Sequence, residues 1–288
     1  MPDTKEIIRG VKKLEIKTKH LVDGLLQGAY HSVFKGRGIE FSESREYIPG
    51  DDIRSIDWNV TARMNHPYVK EFIEERDLTI YIVFDISASN NFGYEKAKSE
   101  TAVQIAASVM FAAFRNNDNI GMLLFTDRVE KFMPARKGKK HLFRLIRDMV
   151  FYQPKGKTTD IRKALAYLSR VLKKRSIVFI ISDFIAEDFT TPLRILKYRH
   201  EIIMVDLIDM RETRMPDVGL IELEDEETGE QLLIDTSDPE FRKEYERMAK
   251  DRVSSLSRTA NRYKIDMIPV RTDEPFEVPL QRFFRRRK

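Results

Sequence analysis

The residues with the clearest capacity for chemistry follow an apolar run. Tyr81-Ile82-Val83-Phe84 gives way to Asp85-Ile86-Ser87-Ala88-Ser89, so a strand rich in β-forming residues delivers a carboxylate and two hydroxyls to one loop. In parallel α/β sheets ligands bind just beyond the carboxyl ends of the strands, and small oxygen donors at that place suit a hard cation. Two other stretches supply oxygens that such a topology would bring alongside. They are the loop Gly156-Lys157-Thr158-Thr159-Asp160-Ile161, and Asp183 at the end of Ser176-Ile177-Val178-Phe179-Ile180-Ile181-Ser182. Magnesium takes near-octahedral oxygen coordination at about 2.0–2.1 Å and keeps several waters. The expectation is a Mg2+ site with Ser87, Ser89 and Thr159 as direct ligands and Asp85 and Asp183 acting largely through water. One position stays open to an incoming carboxylate. Mn2+ or Ca2+ would accept the same oxygens.

Other chemistries fit less well. The chain has no cysteine, which removes disulfides, thiolate nucleophiles, iron–sulfur clusters and thiolate zinc sites together. Its five histidines, His20, His31, His66, His141 and His200, stand far apart, so a histidine-bound transition metal is not expected. Gly156-Lys157-Thr158 spells the end of a phosphate-binding loop. That motif needs a further glycine where Phe151 stands and should follow a strand, whereas 142–150 reads as a helix. Hydrolysis is the stronger rival, because a magnesium ion beside the carboxylates of segment 51–57 would be placed to activate water for phosphate-ester cleavage. Against it, hydroxyl ligands do not neutralise a metal as carboxylates do, and no histidine lies nearby in sequence to shuttle protons. Ser87 also lacks a sequence-evident base, so the sequence favours a binding module over an enzyme.

The elements that must position these groups can be read in order. Residues 3–27 form a basic amphipathic pattern, with Ile7, Val11, Leu14, Leu21 and Leu25 at near-helical spacing. Short strands are expected at 39–41 and 68–73. From Leu78 strands and helices alternate, which predicts a mostly parallel sheet with helices on both faces. After the first strand come a helix over 96–115, a strand over 119–125 with a hairpin partner at 129–133, and helices over 139–150 and 160–174. A strand over 177–182, a helix over 192–199 and a strand over 202–208 follow. A hairpin, 219–224 with 231–235, interrupts the alternation around the acidic turn 225–230. A helix over 239–263, a strand over 265–270 and a short helix or extended clamp over 276–284 complete the chain. The expected organisation is a helix and short-strand extension over 1–77 packed on the core, an α/β core over 78–272 with the hairpin inserted at about 218–236, and a clamp and basic tail over 273–288.

Between the first two strands lies the densest polar cluster, including Arg45, Asp51, Asp52, Arg54 and Asp57, with Trp58, the only tryptophan, in its midst. Pro49-Gly50 marks a turn, and an aspartate after it can cap a short helix with Ile53 and Ile56 on one face. Bidentate Arg–carboxylate pairs fix irregular segments well, so the structural role is the expected one and a partner-binding surface the alternative.

At 288 residues, 42% hydrophobic and 34% charged, the chain has room for one large core and an appendage. Its 51 basic residues against 46 acidic leave a net charge of +5, too small and dispersed for a nucleic-acid footprint. The one concentrated patch, Arg282 and Arg285-Arg286-Arg287-Lys288, reads as a solubilising end, with attraction to an acidic partner or lipid headgroups as the alternative. No stretch approaches the roughly 18 apolar residues of a membrane helix, and no hydrophobic signal region follows the early lysines, so a cytoplasmic location is expected.

Asp85-Ile86-Ser87-Ala88-Ser89, a threonine before Asp160-Ile161, and Ile180-Ile181-Ser182-Asp183 together resemble the metal-ion-dependent adhesion site of von Willebrand factor A domains. That resemblance implies a Rossmann-like fold, bound magnesium, and an acidic residue from a partner completing the coordination. Thr159 is matched by its place before Asp-Ile, though adjacent Thr158 is also available. Phe184 follows Asp183 where the family usually has glycine. A second resemblance covers nearly the whole chain. Gly36-Arg37-Gly38-Ile39-Glu40-Phe41, the run from Arg45 through Tyr47-Ile48-Pro49-Gly50-Asp51-Asp52 to Trp58, Tyr68-Val69-Lys70 and Thr272-Asp273-Glu274-Pro275-Phe276 are similar to the bacterial family named domain of unknown function 58. Members are typically encoded beside AAA+ ATPases of the MoxR type, which implies that ATPase as partner and a chaperone-like or remodelling role. Many members carry membrane helices ahead of this region, so peripheral membrane association is the alternative to a fully soluble life.

Overall fold

The computed structural model describes residues 14, 16, 18, 39–74, 78–87, 98–224 and 231–287. Leu14, Ile16 and Thr18 are helical, and the Thr18 hydroxyl donates to the Leu14 carbonyl at 2.8 Å. The rest of the expected helix over 3–27 lies outside the described residues, as do Ser89 and the acidic turn 225–230. The chain divides into two compact units, residues 34–78 and residues 79–288 together with 1–33.

The smaller unit is a two-stranded antiparallel ribbon, β1 (Ile39–Glu46) and β2 (Tyr68–Glu74), with a bulge between Phe41 and Glu43. Between the strands, Asp52 caps a single 3-10 turn, Ile53–Ser55, by accepting from the Arg54 N–H. The expected helix with Ile53 and Ile56 on one face is thus only a turn, and Ile53 is exposed while Ile56 bridges Val69. The helix proper comes next as α1 (Trp58–Met64). Asp57 starts it by accepting from the Asn59 and Val60 N–H groups, and left-handed Asn65 ends it.

The larger unit is built on β3 (Thr79–Asp85), α2 (Lys98–Arg115), β4 (Asn119–Phe125), β5 (Val129–Arg136), α3 (Lys139–Phe151), α4 (Ile161–Val171), β6 (Ile177–Ser182), α5 (Thr190–Arg199) and β7 (Glu201–Ile208). A short helix α6 (Met210–Thr213), the hairpin β8 (Leu220–Glu224) and β9 (Gln231–Asp235), α7 (Pro239–Arg262), β10 (Asp266–Arg271) and α8 (Glu277–Arg286) follow. Six strands form one sheet in the order β10-β7-β6-β3-β4-β5, parallel except for the outermost β5. The apolar runs 80–84 of β3, 177–181 of β6 and 202–205 of β7 place these strands inside, covered on both faces. Tyr81 and Val83 pack with Leu123, Phe125 and the buried sides of α4 and α5. Ile80, Ile82 and Phe84 alternate with them and look to the other face, where α2 lies along β3, β4, β6 and β7. This is the expected mostly parallel α/β sheet with helices on both faces. Each edge strand contains a proline, Pro134 in β5 and Pro269 in β10, and the four inner strands contain none.

The topology fixes where a ligand can sit. From β3 the chain moves to its neighbour β4, then returns to place β6 on the other side of β3. The carboxyl ends of β3 and β6 therefore flank the point where the winding reverses, the place where open α/β sheets form a crevice. Part of the basic tail is structural, since Arg287 pairs with Glu201 at 2.5 Å and with Asp266 at 2.8 Å.

Candidate metal centre

Asp85 is the last residue of β3, only 1% exposed because the strand is covered on both faces. Its Oδ1 accepts from the Ser87 N–H at 3.0 Å and the Ser87 hydroxyl at 2.6 Å, and its Oδ2 accepts from the Ser182 hydroxyl at 2.7 Å. A hydroxyl that donates its hydrogen to a carboxylate turns lone pairs, not a proton, toward its other neighbours. Ser87, itself buried, is thus oriented as an oxygen donor. Burial, and next the negative charge of Asp183, push the Asp85 carboxyl up to about 6.

Asp183, just past β6, is fully buried. Its Oδ1 accepts from the Ile185 N–H at 3.1 Å, its Oδ2 from the Lys98 ammonium at 2.9 Å, and its carbonyl from Arg252 at 2.6 Å. Phe184 stands at φ +53°, the left-handed conformation that glycine takes freely, with its N–H on the Ser182 hydroxyl and its ring tilted against Phe189 at 5.8 Å. The turn keeps a glycine-like shape although the residue is phenylalanine. Such a backbone costs of order 1 kcal/mol, which burial of the ring offsets.

Thr159, half-buried, lies in the stretch between α3 and α4. Two contacts tie this stretch to the end of β4: the Asp160 N–H donates to the Thr126 carbonyl at 3.0 Å, and Gly156 sits against Thr126 and Asp127. A Cβ on Gly156 would fall 1.9 Å from Asp127 Oδ1 and 2.2 Å from Thr126 Oγ1, so a larger residue there must displace those side chains. Glu130 of β5 gathers the loop. One of its oxygens accepts from the Gly156 N–H at 2.8 Å, the Thr126 hydroxyl at 2.9 Å and the Lys155 N–H at 3.0 Å. The backbone donors that a phosphate would need are thus turned onto the chain's own carboxylate. Since β4 neighbours β3, with the Ile86 N–H donating to the Phe125 carbonyl at 3.0 Å, the loop stands at the same end of the sheet as Asp85.

The structure therefore brings Asp85 and Ser87 together with Asp183 and sets Thr159 on a loop anchored beside them. The residues of this site that the sequence did not single out are Ser182, Lys98, Glu130 and Thr126. Lys98 opens α2, its ammonium 0% exposed and shared between Asp183 and Glu212 of α6. Burial pulls that ammonium down, but Asp183 and Glu212 outweigh it and leave it raised and charged. Nearby in β7, Asp206 is 0% exposed and neither of its oxygens has a hydrogen-bond partner. Burial above all pushes Asp206 up to about 7.

The fit to a cation is good on one side and qualified on the other. Asp85 and Ser87 present the carboxylate-backed hydroxyl oxygen that a hard cation takes. Asp183 already carries an ammonium. Among the described residues no three histidine or carboxylate side chains are gathered to hold a metal, so any centre here must be rich in hydroxyls.

The polar segment of the smaller unit is structural in its contacts. Arg45 grips Asp51 with two parallel hydrogen bonds of 2.7 and 2.8 Å, and Asp51 also accepts from the Ile48 N–H at 2.9 Å. Arg45 first, then Ile48, holds the Asp51 carboxyl down at about 2. Asp52 and Asp57 serve as caps, Arg54 lies in the turn that Asp52 caps, and Trp58 is 68% exposed.

Residues 43–255 match the family described as Protein of unknown function DUF58. The uncharacterized protein Rv1480 of Mycobacterium tuberculosis is 33% identical over 291 residues, spanning 99% of this chain and 91% of its own. Among solved structures, BatB from Bacteroides thetaiotaomicron has a TM-score of 0.45 at 13% identity, covering 73% of this chain and 98% of its own. Proximal thread matrix protein 1 from the mussel byssus, solved with a zinc occupied MIDAS motif, has a TM-score of 0.37 at 18% identity, covering 46% of this chain and 38% of its own. Likenesses at such scores carry nothing about chemistry. The match from residue 43 to residue 255, with a relative one-third identical along nearly the whole chain, shows that this protein belongs to the family described as Protein of unknown function DUF58.

Proposed function

We propose that this chain is a non-catalytic, magnesium-dependent protein-interaction module that captures an acidic side chain of a partner. The observation that carries the reading is the Ser87 hydroxyl, held by Asp85 as an oriented oxygen donor at the point where the sheet's winding reverses. Ser87, Ser89 and Thr159 would hold the ion directly, and Asp85 and Asp183 would act largely through water. A bound magnesium would supply a point of attachment for a carboxylate. Asp85 and Ser182 keep the Ser87 oxygen aimed, and Glu130 and Gly156 keep the Thr159 loop in place. A MoxR-type AAA+ ATPase is the partner we propose, with the cytoplasm as the location. Among the described residues no helix is long and apolar enough to cross a membrane.

The hydrolase alternative gains no support from the contacts. Asp51 is engaged by Arg45, and Asp52 and Asp57 cap backbone N–H groups, so the carboxylates of that segment already have structural duties. Of the described histidines, His66 lies in the smaller unit, and His141 and His200 stand at the amino-terminal edge of the sheet, beside the starts of β4 and β7. That is the end opposite Asp85.

The test is partner capture from lysate by the wild type, Asp85→Ala and Ser87→Ala, with and without a chelator. Metal-bridged capture predicts loss of the same partner in both variants and on chelation; equal recovery in every arm would refute it.

A further inference from the structure

The Lys98 ammonium has no exposure to solvent and touches two carboxylates, Asp183 at 2.9 Å and Glu212. A lysine is rarely buried without a specific anion to hold it, and here one of the two anions belongs to the proposed metal centre. Around it stand the other charges of α6, α7 and β7. Arg252 donates to the Asp183 carbonyl, and one of its remaining nitrogens has no partner, nor has the second oxygen of Glu212 or either oxygen of Asp206.

Resting on the proposed metal-dependent reading, we infer that Lys98 is a resident cation that competes with the divalent ion for the Asp183 carboxylate and thereby sets the metal affinity of the centre low. The reasoning is one of charge. Asp85 and Asp183 bring two negative charges to the crevice, and Lys98 cancels one of them from inside, where water does not screen it. Glu212 holds the ammonium from its far side and shares its charge. A divalent ion that draws on Asp183 must therefore do so against a fixed positive charge, which weakens its hold unless a further anion joins it. Lys98 in this view does not contact the metal; it positions and neutralises Asp183.

Two substitutions then have opposite effects on the affinity of the full-length chain for Mn2+ alone, measured by titration calorimetry. Lys98→Met keeps the length of the side chain and removes the charge, and should tighten Mn2+ binding at least tenfold. Glu212→Gln leaves the ammonium leaning on Asp183 alone, and should weaken Mn2+ binding several-fold. A role confined to holding the fold together would make both variants weaker. Ser87→Ala should abolish the heat and so tie it to this centre. Should Lys98→Met fail to fold, Lys98→Gln, which keeps a hydrogen-bond donor for Asp183 without the charge, takes its place, and unchanged or weaker Mn2+ binding there overturns the inference. Wild-type uptake of Mn2+ with unchanged or weaker binding by a folded Lys98→Met also overturns it while leaving the metal-dependent reading intact. No uptake by the wild type or Lys98→Met overturns both.

Discussion

Replacing Asp206 with asparagine should make the larger unit more stable at alkaline pH. Asp206 faces Asp183, Glu212, Lys98 and Arg252 from inside the sheet, fully buried and without a hydrogen-bond partner. Its carboxyl is pushed from an ordinary 3.8 up to about 7, chiefly by burial. Between those values the folded chain holds a proton that the unfolded chain has released. Stability therefore falls as pH rises from about 4 towards about 7, and levels off above. The gap is roughly three pH units at about 1.4 kcal/mol each, or up to about 4 kcal/mol. An amide in place of the carboxyl would have nothing to ionise, so the slope over that window should flatten and the variant should exceed the wild type at about pH 8. Urea unfolding followed by circular dichroism, dominated by the helices of this unit, measures both. An Asp206→Asn protein with the wild-type slope, or with lower stability at about pH 8, would refute the placement of a protonated acid in β7.

Three further outcomes follow from contacts already described. Gly156→Ala should cost about 1–3 kcal/mol in thermal unfolding through overpacking and should also weaken Mn2+ binding, because relieving the clash with Thr126 and Asp127 moves the loop that carries Thr159; a neutral substitution would dissolve that link. In the smaller unit the Arg45–Asp51 pair contributes stability above about pH 4 that is lost as pH falls through about 2; Trp58 fluorescence should report the loss, and Asp51→Asn should abolish the transition in that window. Phe184→Gly should be more stable than Phe184→Ala by about 1 kcal/mol despite losing one more carbon, because only glycine takes φ +53° freely. The reverse order in thermal denaturation would mean that the turn after β6 is not left-handed.

Much of this was legible in the residues. Continuous apolar runs bounded by polar residues placed the inner strands to within a residue or two, because burial on both faces leaves a short chain segment few alternatives. The site's acids and Ser87 were legible because polar residues ending such runs must emerge at a sheet end. Lys98 was not. In Lys96-Ala97-Lys98 it looks like one more solvated lysine at a helix start, and only the crossing of α2 over β6 and β7 shows that it points at Asp183. Glu130 was hidden in the same way, since its anchoring role depends on a loop more than twenty residues further on. The α1 helix was missed because Trp58-Asn59-Val60-Thr61 has neither helical periodicity nor strong propensity; it exists through the Asp57 cap and a tertiary bond from the Tyr68 N–H to Thr61 Oγ1 at 2.9 Å.

The prolines at the two rims of the sheet bear on how anything can dock. A rim strand normally offers a row of free backbone donors and acceptors on which a foreign chain can zip, but a proline breaks that row, and here Pro134 interrupts one rim and Pro269 the other. A partner of the larger unit is thereby denied the easiest, least selective grip on the six-stranded sheet, that of adding a strand to it. What is left is recognition by side chains and crevices, which asks for a particular chemical group on the visitor.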